Sequence, residues 1–188
     1  MNAAAMLFDD FDNNEPQGHA LIAKLLATHP SDPHAVLARR WQIKAGDLDW
    51  IDAVGTTLLT QAVQNLDTQA VWLLLALGAD ANAFDARGMG PLHYAVMLGD
   101  IALMISVVLL AAGASLSLPC DGEGMDGMTA LHLLAQSGEA CTVTGEFTPL
   151  AQILMCQGGE ARWFTDDANP DGLTPAALAE IARIKKTC

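Results

Sequence analysis

Asp85 to Ala95 reads D-A-R-G-M-G-P-L-H-Y-A, and the same shape returns three more times. The other copies are D-A-V-G-T-T-L-L-T-Q-A from Asp52, G-M-D-G-M-T-A-L-H-L-L from Gly124 and N-P-D-G-L-T-P-A-A-L-A from Asn169. A unit this short cannot bury its apolar face alone, so consecutive units must stack and share one continuous core. With the Gly of each turn as anchor (Gly55, Gly88, Gly127 and Gly172), the spacings are 33, 39 and 45 residues, so the later units carry insertions. A stack presents one long exposed surface rather than a deep pocket, which points to recognition before chemistry.

The rest of each unit repeats as well. Gly99 and Gly138 each lie 11 residues past their anchor, where a left-handed Gly ends a first helix. Val71 to Ala83 reads V-W-L-L-L-A-L-G-A-D-A-N-A, Val107 to Leu116 reads V-V-L-L-A-A-G-A-S-L, and Leu150 to Gly159 is a weaker third copy. On these residues the chain resembles the ankyrin-repeat family over roughly residues 50 to 188, with its T-P-L-H-x-A motif and helical second half. The resemblance implies an all-α ankyrin-repeat solenoid of stacked helix–turn–helix units with hairpin fingers. Leu58, Thr60 and Leu66 stand where the family prefers Pro, His and Gly, Gly90 replaces Thr, and Ala130 replaces Pro. Gly88 to Gly113 spans 25 residues against 23 from Gly55 to Gly78, which predicts a second helix two residues longer in repeat two.

The repeats are expected over 51–84, 85–118, 119–161 and 162–188. Ahead of them, residues 1–18 hold Asp9, Asp10, Asp12 and Glu15 and read as an acidic arm. Residues 19–50 read as a helical N-terminal cap. Ala20 to Thr28 is one apolar helix, and a second runs from His34 to Lys44, with Asp32 as N-cap and Pro33 at its first position. Such a cap covers the open end of an apolar stack. Hydrophobic residues make up 52% of the chain and aromatics only 5%. The core is therefore Ala, Leu, Val and Met, suited to closely packed short helices.

Charge narrows the partner. The chain carries a formal −13, and between Ala45 and Ala161 there are thirteen acidic residues and one basic residue, Arg87. Nucleic acid needs a basic stripe and is excluded as a partner. An acidic stack attracts a basic protein and speeds its capture; the alternative is that the charge only keeps an apolar chain soluble. The N-terminus lacks a basic targeting region, and the apolar run Ile101 to Ala112 is too short to span a bilayer and reads as a buried second helix. Cys120, Cys141, Cys156 and Cys188 form no C-x-x-C pair, consistent with reduced thiols in a cytoplasmic protein, and Cys156, in an apolar run, is expected to be buried.

The resemblance implies that partners touch the hairpin fingers and the open positions of each first helix. Mapped by register, these include Arg87, Met89, Met97, Leu98, Met125, Asp126, Met128 and Gln136. Met89, Met97, Leu98, Met125 and Met128 compose an adaptable apolar strip with an acidic rim; the alternative is that the insertions fold over the strip and bury it. Asp121 and Glu123 lie in a lengthened finger, Leu118 to Asp126. Trp163 lies in a second insertion, as an exposed anchor or as a plug in the last groove between repeats.

No catalytic residue, cofactor or metal ligand emerges. His93 and His132 occupy the His of the family motif, which implies hydrogen bonds to the turn. Asp121, Glu123 and Asp126 imitate a calcium loop, but its twelfth position is His132 rather than Glu. No nucleophile elbow, phosphate loop or H-E-x-x-H is present. The expected function is non-enzymatic: an immunity protein or inhibitor that occludes one cognate basic protein, as a monomer or weak self-associate. The alternative is a scaffold or delivered effector that docks on a partner in another cell or a larger complex.

Overall fold

The computed structural model describes residues 48, 55–121, 127–137, 140, 146–159, 163 and 173–180. The expected arm and, Leu48 apart, the expected cap lie outside the described residues. Among the described residues the chain is helical, with no strand beyond isolated bridging residues, as an all-α solenoid requires.

Two helices follow the first finger, α1 (Leu58–Gln64) and α2 (Thr68–Ala76). Next come α3 (Pro91–Met97), a 3-10 turn over Gly99–Ala102 and α4 (Leu103–Ala111). The third unit supplies α5 (Ala130–Ser137) and α6 (Pro149–Leu154), the latter running into a π-type turn over Met155–Gly159. Residues 175–180 are helical again. The first helices stack as one layer, α1 on α3 on α5, and the second helices as another, α2 on α4 on α6.

Helices of six to nine residues are too short to persist alone, so tertiary burial must hold them. Small residues let the layers approach: Ala62, Val63, Ala70, Val71, Ala95 and Ala135 are fully buried. Leu73, Leu74, Ile105, Leu109, Leu131 and Leu134 fill the space between them, and truncation of any one to Ala costs about 2–5 kcal/mol. Side-chain caps start α1 and α2. Thr57 Oγ1 accepts the Thr60 N–H at 3.1 Å, and Asp67 Oδ1 accepts the Ala70 N–H at 3.1 Å. Ser106, buried in an otherwise apolar helix, satisfies its hydroxyl by donating to Ala102 O at 3.1 Å.

The longer second helix expected in repeat two does not form. α2 and α4 are both nine residues, and the extra residues enter the connection as the 3-10 turn over Gly99–Ala102. Packing explains this: α4 must match α2 in length to lie against it, whereas the connection can turn Asp100 and Ile101 out to solvent. Cys156 is exposed rather than buried. The α-helix ends at Leu154, and the wider turn that follows, with Gly158 at φ +90°, rotates Cys156 outward.

Backbone hydrogen bonds tie each finger to the next. The Ala86 N–H donates to Gly55 O at 2.8 Å, and one repeat later the Asp121 N–H donates to Gly88 O at 2.9 Å. Both glycines are left-handed, at φ +88° and +69°. A Cβ on Gly55 would lie 2.1 Å from Ala86 Cβ, and one on Gly88 would lie 2.8 Å from the Asp121 carbonyl carbon. At the other side of the finger base, Asn82 Nδ2 donates to Gly113 O at 3.1 Å and its Oδ1 accepts the Ser115 N–H at 2.8 Å.

Gly88→Ala is expected to lose about 2 kcal/mol or more, from the left-handed conformation together with the clash. Leu66 presents the opposite case, since it is a non-glycine at φ +55° with 40% of its surface exposed. Leu66→Gly should therefore gain about 0.5–1 kcal/mol. Urea unfolding of both variants checks the two signs.

Candidate recognition surface

The finger of repeat two is organised by one buried carboxylate. Asp85 is 6% exposed. Its Oδ1 accepts the Arg87 N–H at 2.9 Å and the Met89 N–H at 3.0 Å, and its Oδ2 accepts the Tyr94 hydroxyl proton at 2.6 Å. Burial and the adjacent carboxylate push the Tyr94 phenol up to about 12, with Arg87 acting in the opposite direction. Tyr94 thus stays protonated as a donor, and Asp85 pins the finger to α3.

In repeats two and three a histidine at the third helical position closes the turn from below. His93 Nδ1 accepts the Gly90 N–H at 3.0 Å, and Nε2 lies 2.9 Å from Leu118 O. Nδ1 needs its lone pair for that bond, so the ring proton sits on Nε2 and is donated to the carbonyl. His132 repeats the Nδ1 half of the arrangement, accepting the Thr129 N–H at 3.2 Å. In repeat one Thr60 takes the histidine's place and accepts the Thr57 hydroxyl proton at 2.9 Å. Both histidines are structural, as the register implies.

The expected site residues separate into four groups. Arg87 and Asp121 are exposed on successive fingers, and Gln136 is exposed near the end of α5. Met97, 53% exposed, ends α3, with the half-buried Leu98 beside it. Met89, Met128 and Trp163 are core, at 3, 4 and 3% exposure. Glu123, Met125 and Asp126 lie outside the described residues.

The continuous methionine strip is thereby corrected. Met89 O accepts the Asp85 N–H, and Met128 O accepts the Cys120 N–H at 2.8 Å. Each methionine thus closes its hairpin, and its side chain packs into the core beneath the finger. Trp163 is the plug rather than the exposed anchor, and packs edge to face on Phe147 with ring centroids 5.8 Å apart. Four exposed apolar residues escape a reading by register. Leu66 is 40% exposed after α1, Phe84 is 43% exposed in the finger, and Ile101 and Met104 are 72% and 62% exposed. The latter two belong to a run expected to be buried; a run apolar at all but one position, Ser106, carries no periodicity to mark which residues face out.

Among the described residues no three His, Cys, Asp or Glu side chains gather closely enough to hold a metal ion. No described helix is long and apolar enough to cross a membrane.

Two expectations test this anatomy. Met128→Lys buries an unpaired charge and should cost about 3 kcal/mol or more, whereas Met97→Lys leaves the fold intact; thermal melts distinguish them. The second concerns pH. Burial holds the His93 imidazole below its ordinary 6.5, against its hydrogen bonds and Asp85. The unfolded chain therefore takes up this proton first, and the stability tied to neutral His93 falls as the pH drops below 6.5. Chemical unfolding at stepped pH should show a shallower slope through that window in His93→Gln.

Two curated proteins resemble the chain. A protein of Rickettsia bellii (strain RML369-C) named for its ankyrin repeats is 36% identical over 113 residues, 60% of this chain and 47% of its own length. The human ankyrin repeat domain-containing protein 63 is 30% identical over 132 residues, 70% of this chain and 34% of its own length. The chain thus spans less than half the length of each relative. No family model matches it.

Proposed function

Because the chain belongs to the ankyrin-repeat family, whose stacks act as protein-interaction modules, we propose that it binds and neutralises one cognate basic protein by occluding that partner's functional site. The observation that carries this reading is the edge formed by successive fingers. Phe84 is an exposed aromatic on a finger, and Arg87 and Asp121 are exposed beside it along the same bonded row. An aromatic anchor with a polar rim, on fingers held rigid by Asp85 and the inter-finger bonds, is preorganised for a protein surface.

Charge supports the class of partner. Among the described residues Arg87 is the one Lys or Arg, against seven Asp and Glu. A field of one sign steers an oppositely charged protein. Gln136, exposed near the end of α5, lies away from this edge, in the register of Met97. Neutralisation requires coverage rather than chemistry, which suits a chain whose described polar groups serve the fold.

Affinity capture from the native host's lysate at low salt, with mass spectrometry, tests the reading. One stoichiometric basic protein is expected, released by salt and inhibited in its own activity by the chain. Phe84→Ala should weaken that complex by about 1–3 kcal/mol. The association rate should fall by about tenfold or more from low to high salt. An unchanged rate would reduce the acidity to a solubility device, and an empty capture at several chain concentrations would transfer the partner to another cell.

A further inference from the structure

The exposed apolar residues other than Phe84 share one end of the stack. Each first helix starts at its finger and runs away from it, and the second helix returns. The connections 65–67 and 98–102 therefore lie at the end opposite the fingers, about 10 Å away along a seven-residue helix. Leu66, Met97, Ile101 and Met104, 40, 53, 72 and 62% exposed, all belong to these two connections or to the helix ends beside them. Because α1 stacks on α3 and α2 on α4, the two connections are neighbours. Single exposed hydrophobes are ordinary; four of the five large ones among the described residues, at one end, compose a patch.

Two features argue that the patch is kept for contact. Leu66 is held left-handed at φ +55°, where Gly would relieve the strain. Local backbone strain of this kind clusters at functional positions, and Leu66 keeps 40% of its surface exposed. In repeat two the connection is two residues longer than in repeat one, and its 3-10 turn carries Ile101, the most exposed of the four.

The charges name the occupant. Asp67 and Asp100 lie in these same connections, and Arg87, the one described Lys or Arg, is at the far end. Both carboxylates are fixed by backbone, Asp67 through the Ala70 N–H and Asp100 through the Leu150 N–H at 3.1 Å. An apolar ridge flanked by fixed carboxylates complements an apolar helix face flanked by Lys and Arg. A second copy would bring the same carboxylates and another −13 against them.

We propose that the helix-turn end, built from Leu66, Met97, Ile101 and Met104 between Asp67 and Asp100, is a second docking surface that takes a basic amphipathic helical segment of a protein. It is independent of the finger edge and of the neutralising role.

The test is fluorescence anisotropy with the full chain and a labelled amphipathic peptide of about 14 residues, Leu on one face and Lys on the other. A counterpart carries Glu for every Lys. The Lys peptide should bind and the Glu peptide should not. The double variant Ile101→Ser/Met104→Ser, with an unchanged circular dichroism spectrum, should bind the Lys peptide about tenfold more weakly, and the finger variant Phe84→Ala should bind it like the wild type. Leu66→Gly should melt higher yet bind less well. Equal binding by the double variant, equal binding of the Glu peptide, or a wild-type dimer in sedimentation that the double variant abolishes would each overturn the proposal. Loss of binding in Phe84→Ala with retention in the double variant would overturn it too, while leaving the finger edge as a recognition surface.

Discussion

A pair of backbone hydrogen bonds sets the spacing on which the whole stack depends. Gly55 O accepts from Ala86 and Gly88 O accepts from Asp121, so each finger is registered on the one before it. The bond works only because the carbonyl sits on a left-handed residue without a Cβ, pressed against the next finger's backbone. Once that distance is set, the helices below must approach closely. This is why Ala and Val occupy the tightest contacts and why so few aromatics are used.

Polar groups inside this stack serve the turns. Asp85, His93, His132 and Asn82 each satisfy backbone donors or acceptors that a tight hairpin would otherwise leave buried and unpaired. Their cost in desolvation is offset by rigidity at the fingers. A finger held at both its base and its flank presents Phe84 and Arg87 with little conformational entropy left to lose on binding.

The two ends of the helix pairs play different parts. At the fingers the backbone is bonded from repeat to repeat, and variation is confined to side chains at the tips. At the helix turns no such row is required, so repeat two accepts additional residues and repeat one accepts a leucine in a glycine conformation. That freedom permits an apolar patch to accumulate where it disturbs no neighbour. The charged residues described around it are acidic, with Arg87 the one Lys or Arg among the described residues.

The recurring D-x-x-G turn, the T-P-L-H position and the V-W-L-L-L run were enough to determine an all-α ankyrin solenoid, its fingers and the structural role of both histidines. Those features are local, so each repeat copy states them directly. The exposure of individual apolar residues was not legible in the same way. Met89 and Met97 are chemically alike, yet one closes a hairpin and packs inward while the other ends a helix and faces solvent. Ile101 and Leu109 share one largely apolar run, yet a 3-10 turn sends the first outward and stacking buries the second. Composition and register determined the architecture; which side chains remain free for a partner was decided by how neighbouring repeats pack, because burial is a property of the assembled layers and not of the residue.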